Sequence, residues 1–291
     1  MKVVGFSFIK NAVLYDYPIV ESLLSILPLC DQIIVAVGVS DDETLQLIKN
    51  IHSEKIIIIE TFWDETQREG GKVLALETDK AYHEITQDAD WCFYIQGDEI
   101  VPEKYLDTIK DAMIKYKDDV EIDGLLFHYL HFYGSYDYIA TASNFYKKEI
   151  RIIRKNKKIF SYRDAQGFRK NENEKLNVVQ IDAYIYHYGW VKKPSDMQNK
   201  QKNFQKYWHN DEWIDQHVSK ENDFDYSNIK SLKRFTDKHP TVMQNRIDNI
   251  NWKFDYDITY KKTSFKDIIK NILNKLFGID LNYKNYRLIK K

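Results

Sequence analysis

The chain is 291 residues long and 43% hydrophobic, with 43 basic residues against 44 acidic ones and a net charge of -1. That length and apolar content support a substantial core and exclude a disordered chain. The balanced charge leaves no global field for nucleic acid, so no nucleic-acid partner is expected. Cys30 and Cys92 sit in apolar contexts without metal spacing, which predicts reduced, buried thiols and a cytoplasmic protein. No stretch approaches the roughly 18 uninterrupted apolar residues of a membrane span, so neither a span nor a signal peptide is expected.

Strands and helices alternate through the first half. Val3 to Ile9 reads as a buried strand, and Asp16 as the cap of a helix from Tyr17 with Pro18 in its first turn. Gln32 to Val37 is a second strand; Ser40 and Glu43 then have capping-box spacing for a helix through Ile48. Lys55 to Glu60 is a third strand, and Gly70-Gly71 opens a helix to about Thr86. A fourth, aromatic and β-branched strand runs from Trp91 and breaks at Gly97-Asp98-Glu99, ahead of a helix from Pro102 to about Tyr116. Single helices between strands imply right-handed crossovers and a mainly parallel sheet.

Beyond that helix the pattern changes. Gly124 to Tyr133, Glu149 to Arg154 and Val178 to Tyr188 read as strands joined by Tyr-, His- and Arg-rich connections, which makes the sheet mixed. From Pro194 the chain is polar and helical. From Lys261 to the end Lys and Arg outnumber Asp and Glu by nine to two around an apolar stripe. That tail suits either peripheral contact with an anionic membrane surface, on its inner face, or packing against the rest of the chain.

Ligands of open α/β sheets bind beyond the carboxyl ends of the strands. There, Asp98 and Glu99 form either a hard oxygen site for Mg²⁺ or Mn²⁺ with a diphosphate, or simply an acidic lead into the next helix. The succession Phe8-Ile9-Lys10-Asn11, Ser40-Asp41-Asp42-Glu43-Thr44, Gly70-Gly71 and Gln96-Gly97-Asp98-Glu99 resembles, in order and spacing, the nucleotide-binding half of family 2 glycosyltransferases of bacterial cell-surface glycan synthesis. The resemblance covers roughly residues 2 to 200. It implies a GT-A fold with a catalytic domain at 1–193, divided into a nucleotide-sugar half (1–117) and an acceptor half (118–193), and a helical extension at 194–291.

It further implies a nucleotide-sugar donor, a UDP-sugar first, and an inverting transfer to a glycan or lipid-linked acceptor. The donor would be held by Phe8, Asn11, Gly38, Ser40, Asp42, Arg68, Gly71, Gln96 and Gly97, and a divalent Mn or Mg ion by Asp98, Glu99 and His187. Two departures stand out: Gln96 replaces the family's first aspartate, and Val37 and Gly38 stand where an Asp pair is usual. The base that accepts the acceptor's proton is expected in the loop after Arg151 to Arg154, where Asp164 is the nearest carboxylate; Glu172 and Glu174 are close alternatives. Lys192 and Lys193 are candidate diphosphate cations. The stretch from His128 to Tyr136 is either a sugar-stacking platform or sheet core. A nucleotide-sugar-binding protein without transferase activity is the alternative that Gln96 leaves open.

Overall fold

The computed structural model describes residues 1–64, 66–67, 69–156, 158–218, 220–259 and 284–291. In chain order the elements are β1 (Val3–Ile9), α1 (Ile19–Ile26), β2 (Gln32–Gly38), α2 (Thr44–Lys49), β3 (Ile56–Thr61), α3 (Lys72–Glu84), β4 (Trp91–Tyr94), β5 (Glu99–Ile100) and α4 (Leu106–Tyr116). There follow β6 (Gly124–Tyr133), β7 (Ser135–Ala140), β8 (Lys148–Ile153), β9 (Ile159–Tyr162), β10 (Gly167–Lys170), β11 (Glu174–Lys175) and β12 (Asn177–Trp190). The last are α5 (Pro194–Phe204), α6 (Asp211–His217), β13 (Leu232–Arg234), α7 (Gln244–Asp248) and β14 (Arg287–Leu288).

The fold is α/β. β4, β1, β2 and β3 run parallel in that spatial order, so the chain moves outward from β1 through β2 and β3, then returns to β1's other side as β4. β1 and β4 therefore flank a topological switch point, where two connections leave in opposite directions and open a crevice. β8 joins β4 antiparallel and leads to β6, which pairs parallel with the long β12. The buried apolar runs of β1, β2 and β4 face helices on both sides. α1, for example, places Ile19, Leu23 and Ile26 at helical spacing, all fully buried.

Several boundaries differ from the sequence reading for local reasons. The fourth strand ends at Tyr94, four residues before Asp98. Residues 95–98 are then held by both backbone and side chains: Ile95 N–H donates to the Phe6 carbonyl and Tyr188 N–H to that of Asp98, while Ser7 Oγ donates to the Ile95 carbonyl and Ser22 Oγ to that of Gln96, both at 2.7 Å. Asp16 does not cap α1. Its φ is +47° and its carboxylate accepts from Arg246, while the helix starts after Pro18 without a side-chain cap. Ser40 is likewise no cap for α2, because its hydroxyl donates to the Gly38 carbonyl and accepts from Asn11 N–H.

Among the described residues of 194–259 there are three α-helices, α5 to α7, and β13 adds an antiparallel edge to β7. Met197, Tyr226 and Leu232 share a core with Tyr133 and Tyr138. The expected basic amphipathic helix falls on residues 260–283, outside the described residues. Residues 284–291 return to the sheet, where β14 pairs with the start of β12. Among the described residues no helix is long and apolar enough to cross a membrane. Both cysteines are free and buried.

Candidate active site

The switch point opens into a cavity of about 440 Å³, within the range of small-ligand sites. The end of β1 supplies Phe8, Ile9 and Lys10, and the segment after β4 supplies Gln96, Gly97 and Asp98. His187 and Gly189 come from β12, Asp164 from the β9–β10 turn, and Lys200, Phe204 and Tyr207 from α5 and the turn after it. The walls divide into two ends. One is aromatic, with Trp63 5.8 Å from Phe8 and 5.5 Å from Tyr207, centroid to centroid. The other is charged and centred on Asp98.

Asp98 is almost fully buried, with Lys200 Nζ 3.4 Å from Oδ2 and His187 Nε2 3.6 Å from Oδ1. Burial alone would raise its pKa; His187, Lys200 and Lys192 outweigh that and hold it at about 2. Lys200 reaches the site because Met197, Lys200 and Phe204 recur at i, i+3 and i+7 on the inner face of α5, with Met197 anchored in core. Lys200 Nζ also donates to the Gly189 carbonyl at 3.0 Å and lies 4.6 Å from the centre of the Tyr17 ring. Gly189 has to lack a side chain here: a Cβ would stand 2.6 Å from Asp98 Oδ2 and 2.8 Å from His187 Nε2.

A second histidine sets the tautomer of the first. His131 Nε2 lies 2.7 Å from the Tyr146 carbonyl, which can only accept, so that nitrogen carries the hydrogen. Burial holds the His131 pKa down at about 3, which leaves its Nδ1 as the acceptor for His187 Nδ1, 3.2 Å away. His187 thus donates from Nδ1 and turns Nε2 toward Asp98; burial lowers its pKa, with Asp98 and Glu99 opposing. Lys192 lies behind this group, its ammonium bonded to the Asp16 carbonyl; burial, then repulsion from Lys200, lowers its pKa to about 7.

Glu99 is not part of the cavity wall. Arg151 grips it through two bonds of 2.7 and 2.8 Å, both side chains fully buried, and Tyr129 Oη and the Gln96 N–H complete its hydrogen bonding. Its expected place on a metal is therefore corrected: both oxygens are spent within the core. Gln96 does face the cavity, and its amide nitrogen donates to Tyr94 Oη and the Ala165 carbonyl, each at 3.1 Å. An ionised aspartate has no hydrogen to donate to that carbonyl, which accounts for glutamine at this position. Through this bond Gln96 ties the end of β4 to the turn that bears Asp164.

That turn is conformationally costly. Arg163 and Ala165, on either side of Asp164, have φ of +56° and +61°, a region where non-glycine residues are held only by surrounding structure. Ala165 is fully buried, and Asp164 packs on Gly71, where a Cβ would come within 2.6 Å of the Asp164 Cβ. Gly71 itself has φ of +70°, so glycine is needed there twice over. Burial raises the Asp164 pKa, against the opposing pull of its backbone hydrogen bonds and Arg163.

The remaining candidates sort by position. Phe8, Gln96, Gly97, Asp98, Asp164 and His187 meet at the cavity. Asn11, Ser40 and Asp42 instead bind two loops to each other: Asp41 N–H donates to Asn11 Oδ1 at 2.8 Å, and Leu14 N–H to Asp42 Oδ2 at 2.6 Å. Gly38 lies under the Trp63 indole, its would-be Cβ only 2.4 Å from Nε1. Arg68 lies outside the described residues. Glu172 and Glu174 are exposed and away from the cavity wall. Tyr129, Phe132, Tyr133 and Tyr136 are buried, so that aromatic stretch is sheet core. Lys200, Trp63 and Tyr207 escaped the sequence reading, and His131 entered it only within the His128 to Tyr136 stretch; for Lys200 the Met197-Lys200-Phe204 spacing held a signal.

The donor set does not fit a resident divalent ion. Among the described residues no group of three or more His, Cys, Asp or Glu side chains converges as a metal site. One carboxylate remains in the cavity end, and an ammonium already faces it. A dication 4 Å from an ammonium is repelled by roughly 8 kcal/mol at an effective dielectric constant of about 20.

No protein-family model matches the chain, and no curated protein matches it. Among solved structures, the chain is similar to TarS of S. aureus at 16% identity, over 70% of this chain and 39% of that one, with a TM-score of 0.40. A structure of TarS 1-349 in complex with UDP aligns at 14% identity over 76% of this chain and 68% of that one, TM-score 0.40. Glucosyl-3-phosphoglycerate synthase of Mycobacterium tuberculosis, in complex with Mn²⁺, UDP and phosphoglyceric acid, aligns at 15% identity over 45% and 43%, TM-score 0.31. The chain thus spans about two fifths of the length of the first of these.

Proposed function

We propose that the protein is a GT-A glycosyltransferase that moves a sugar from a nucleoside-diphosphate donor to a hydroxyl of a glycan or lipid-linked acceptor, with inversion, in surface-polysaccharide synthesis. The observation that carries this reading is the two-ended cavity at the β1–β4 switch point, aromatic at one end and charged at the other, where Lys200 faces Asp98. A nucleobase stacks on Phe8, Trp63 and Tyr207; the diphosphate lies toward Lys200 and His187. The sequence resemblance makes a UDP-sugar the first donor to try.

Asp164 acts as the base. Its elevated pKa and its place on a strained turn suit a carboxylate that takes the acceptor's proton as the hydroxyl attacks the anomeric carbon. Gln96 fixes that turn relative to the donor's binding strand.

A thermal-shift and calorimetric screen of UDP-, GDP-, CMP- and dTDP-sugars tests this, because ligand bound to the native state raises its apparent stability. One donor class should stabilise the protein and be consumed when glycan or lipid-linked acceptors are supplied, with inverted anomeric configuration by NMR. Binding without turnover would reduce the protein to a nucleotide-sugar-binding module, and no stabilisation by any donor would remove the transferase reading.

A further inference from the structure

We infer that Lys200 is a built-in cation for the donor's diphosphate, so that the transfer proceeds without a divalent metal. This rests on the nucleotide-sugar reading of the cavity and deepens it. The end of the cavity around Asp98 lacks the carboxylates that a dication needs: Gln96 replaces one, Arg151 holds Glu99, and Asp98 is met by Lys200. What the fold supplies there instead is a pair of lysines, Lys200 at the wall and Lys192 bonded behind it.

The geometry of Lys200 suits the task. An ammonium has three donors. Gly189's carbonyl takes one at 3.0 Å, and Asp98 stands at 3.4 Å, longer than the roughly 2.7–2.9 Å of a tight charge-assisted bond. Asp98 thus holds Lys200 in place without closing it off, and opposes the lowering of the Lys200 pKa by burial.

In the reaction, the bond between the anomeric carbon and the phosphate oxygen breaks and its electron pair leaves with the nucleoside diphosphate. The acceptor oxygen bonds to that carbon and its proton passes to Asp164. The leaving group gains one unit of negative charge, which the Lys200 ammonium stabilises as it forms. Asp98 is then a positioning residue for Lys200 rather than a metal ligand.

The test is titration calorimetry on the full chain with UDP, GDP, CDP, dTDP, inorganic pyrophosphate and Mn²⁺ alone, each nucleotide in EDTA and in Mn²⁺. The expected result is that the best-bound nucleoside diphosphate binds within about threefold in the two conditions and that Mn²⁺ alone shows no saturable binding. Lys200→Gln should weaken that nucleotide at least tenfold in EDTA, with Lys200→Arg recovering part of the loss. Binding by the wild type only in Mn²⁺ would overturn the inference and leave the transferase reading standing. No nucleotide binding in either condition would overturn both. Because the EDTA and Mn²⁺ comparison needs no variant, poor folding of Lys200→Gln does not shield the inference.

Discussion

Asp98 and Glu99 are adjacent carboxylates where the segment after β4 enters β5, yet the floor of the cavity and the core beneath it use them in opposite ways. Glu99 is closed. Its oxygens receive bonds of 2.7 and 2.8 Å from Arg151, whose guanidinium lies 5.1 and 5.2 Å from the centres of the Tyr94 and Tyr129 rings. Asp98 is open, with Lys200 and His187 at 3.4 and 3.6 Å and a cavity in front. A dry, fully bonded pair cannot exchange partners without breaking the core, whereas a loose pair at a cavity wall can. The lesson is that an acidic doublet is not a functional unit; each oxygen's partners decide what it can do.

The division can be broken from the cavity side first. Asp164→Asn should lower turnover by about a hundred- to ten-thousand-fold with donor affinity nearly unchanged. Steady-state kinetics with a matched donor titration check it, and near-normal turnover would place the base elsewhere. On the closed side, Arg151→Met leaves Glu99 buried without its cation and should cost about 3–5 kcal/mol in urea unfolding. Pairing it with Glu99→Leu should restore most of that; a double variant as unstable as the single would mean that the pair is not self-contained.

Glu149, a third buried carboxylate, sharpens the closed side through pH. Burial raises its pKa from 4.5 to about 7, with Arg151 and Gln166 opposing. The folded state holds this proton more tightly than the unfolded chain, so the contribution of Glu149 to stability is fully present below about pH 4.5 and is lost as pH rises through about 7. At 1.36 kcal/mol per unit, the loss is roughly 3 kcal/mol. Glu149→Gln should flatten the unfolding free energy across that window, and an unchanged slope would refute the assignment. The smallest effect is expected from Gly189→Ala, whose methyl group crowds Asp98 and His187. Overpacking of this kind costs about 1–3 kcal/mol, and it should also weaken donor binding. Unaltered stability and affinity would show that this corner is looser than its contacts.

The parallel half was legible because its signals are local: apolar runs, glycine pairs and helix spacing report strands and helices whose neighbours follow in sequence. Asp98, Gln96 and Asp164 could be singled out because each sits where an element ends. The fate of Glu99 was not legible, since Arg151 stands 52 positions away and only a folded sheet brings them together. Lys200 was hidden for a different reason. It lies in a polar run whose composition matches a solvated surface, and its burial follows from the packing of Met197 and Phe204, not from its own chemistry. The loop bearing Asp164 was found but its tight left-handed geometry was not, because its left-handed residues are arginine and alanine rather than glycine or asparagine.

The pairing of β14 with β12 also shapes the order in which the protein assembles. Asn177 and Arg287 are in register although 110 residues apart, whereas β1 and β2 join Val4 and Gln32 across 28. Closing the longer loop costs about 1 kcal/mol more entropy, for a contact only two residues long. The β1–β2–β3 unit is therefore expected to form early and β14 to dock last, when Asn285 reaches the buried Arg169 guanidinium at 2.8 Å and fastens the β9–β10 turn from behind. Asp164 would acquire its final setting only at that step. Amide exchange should find Arg287 and Ile289 opening well before Phe6 or Val35, and equal protection at both places would contradict this sequence of events.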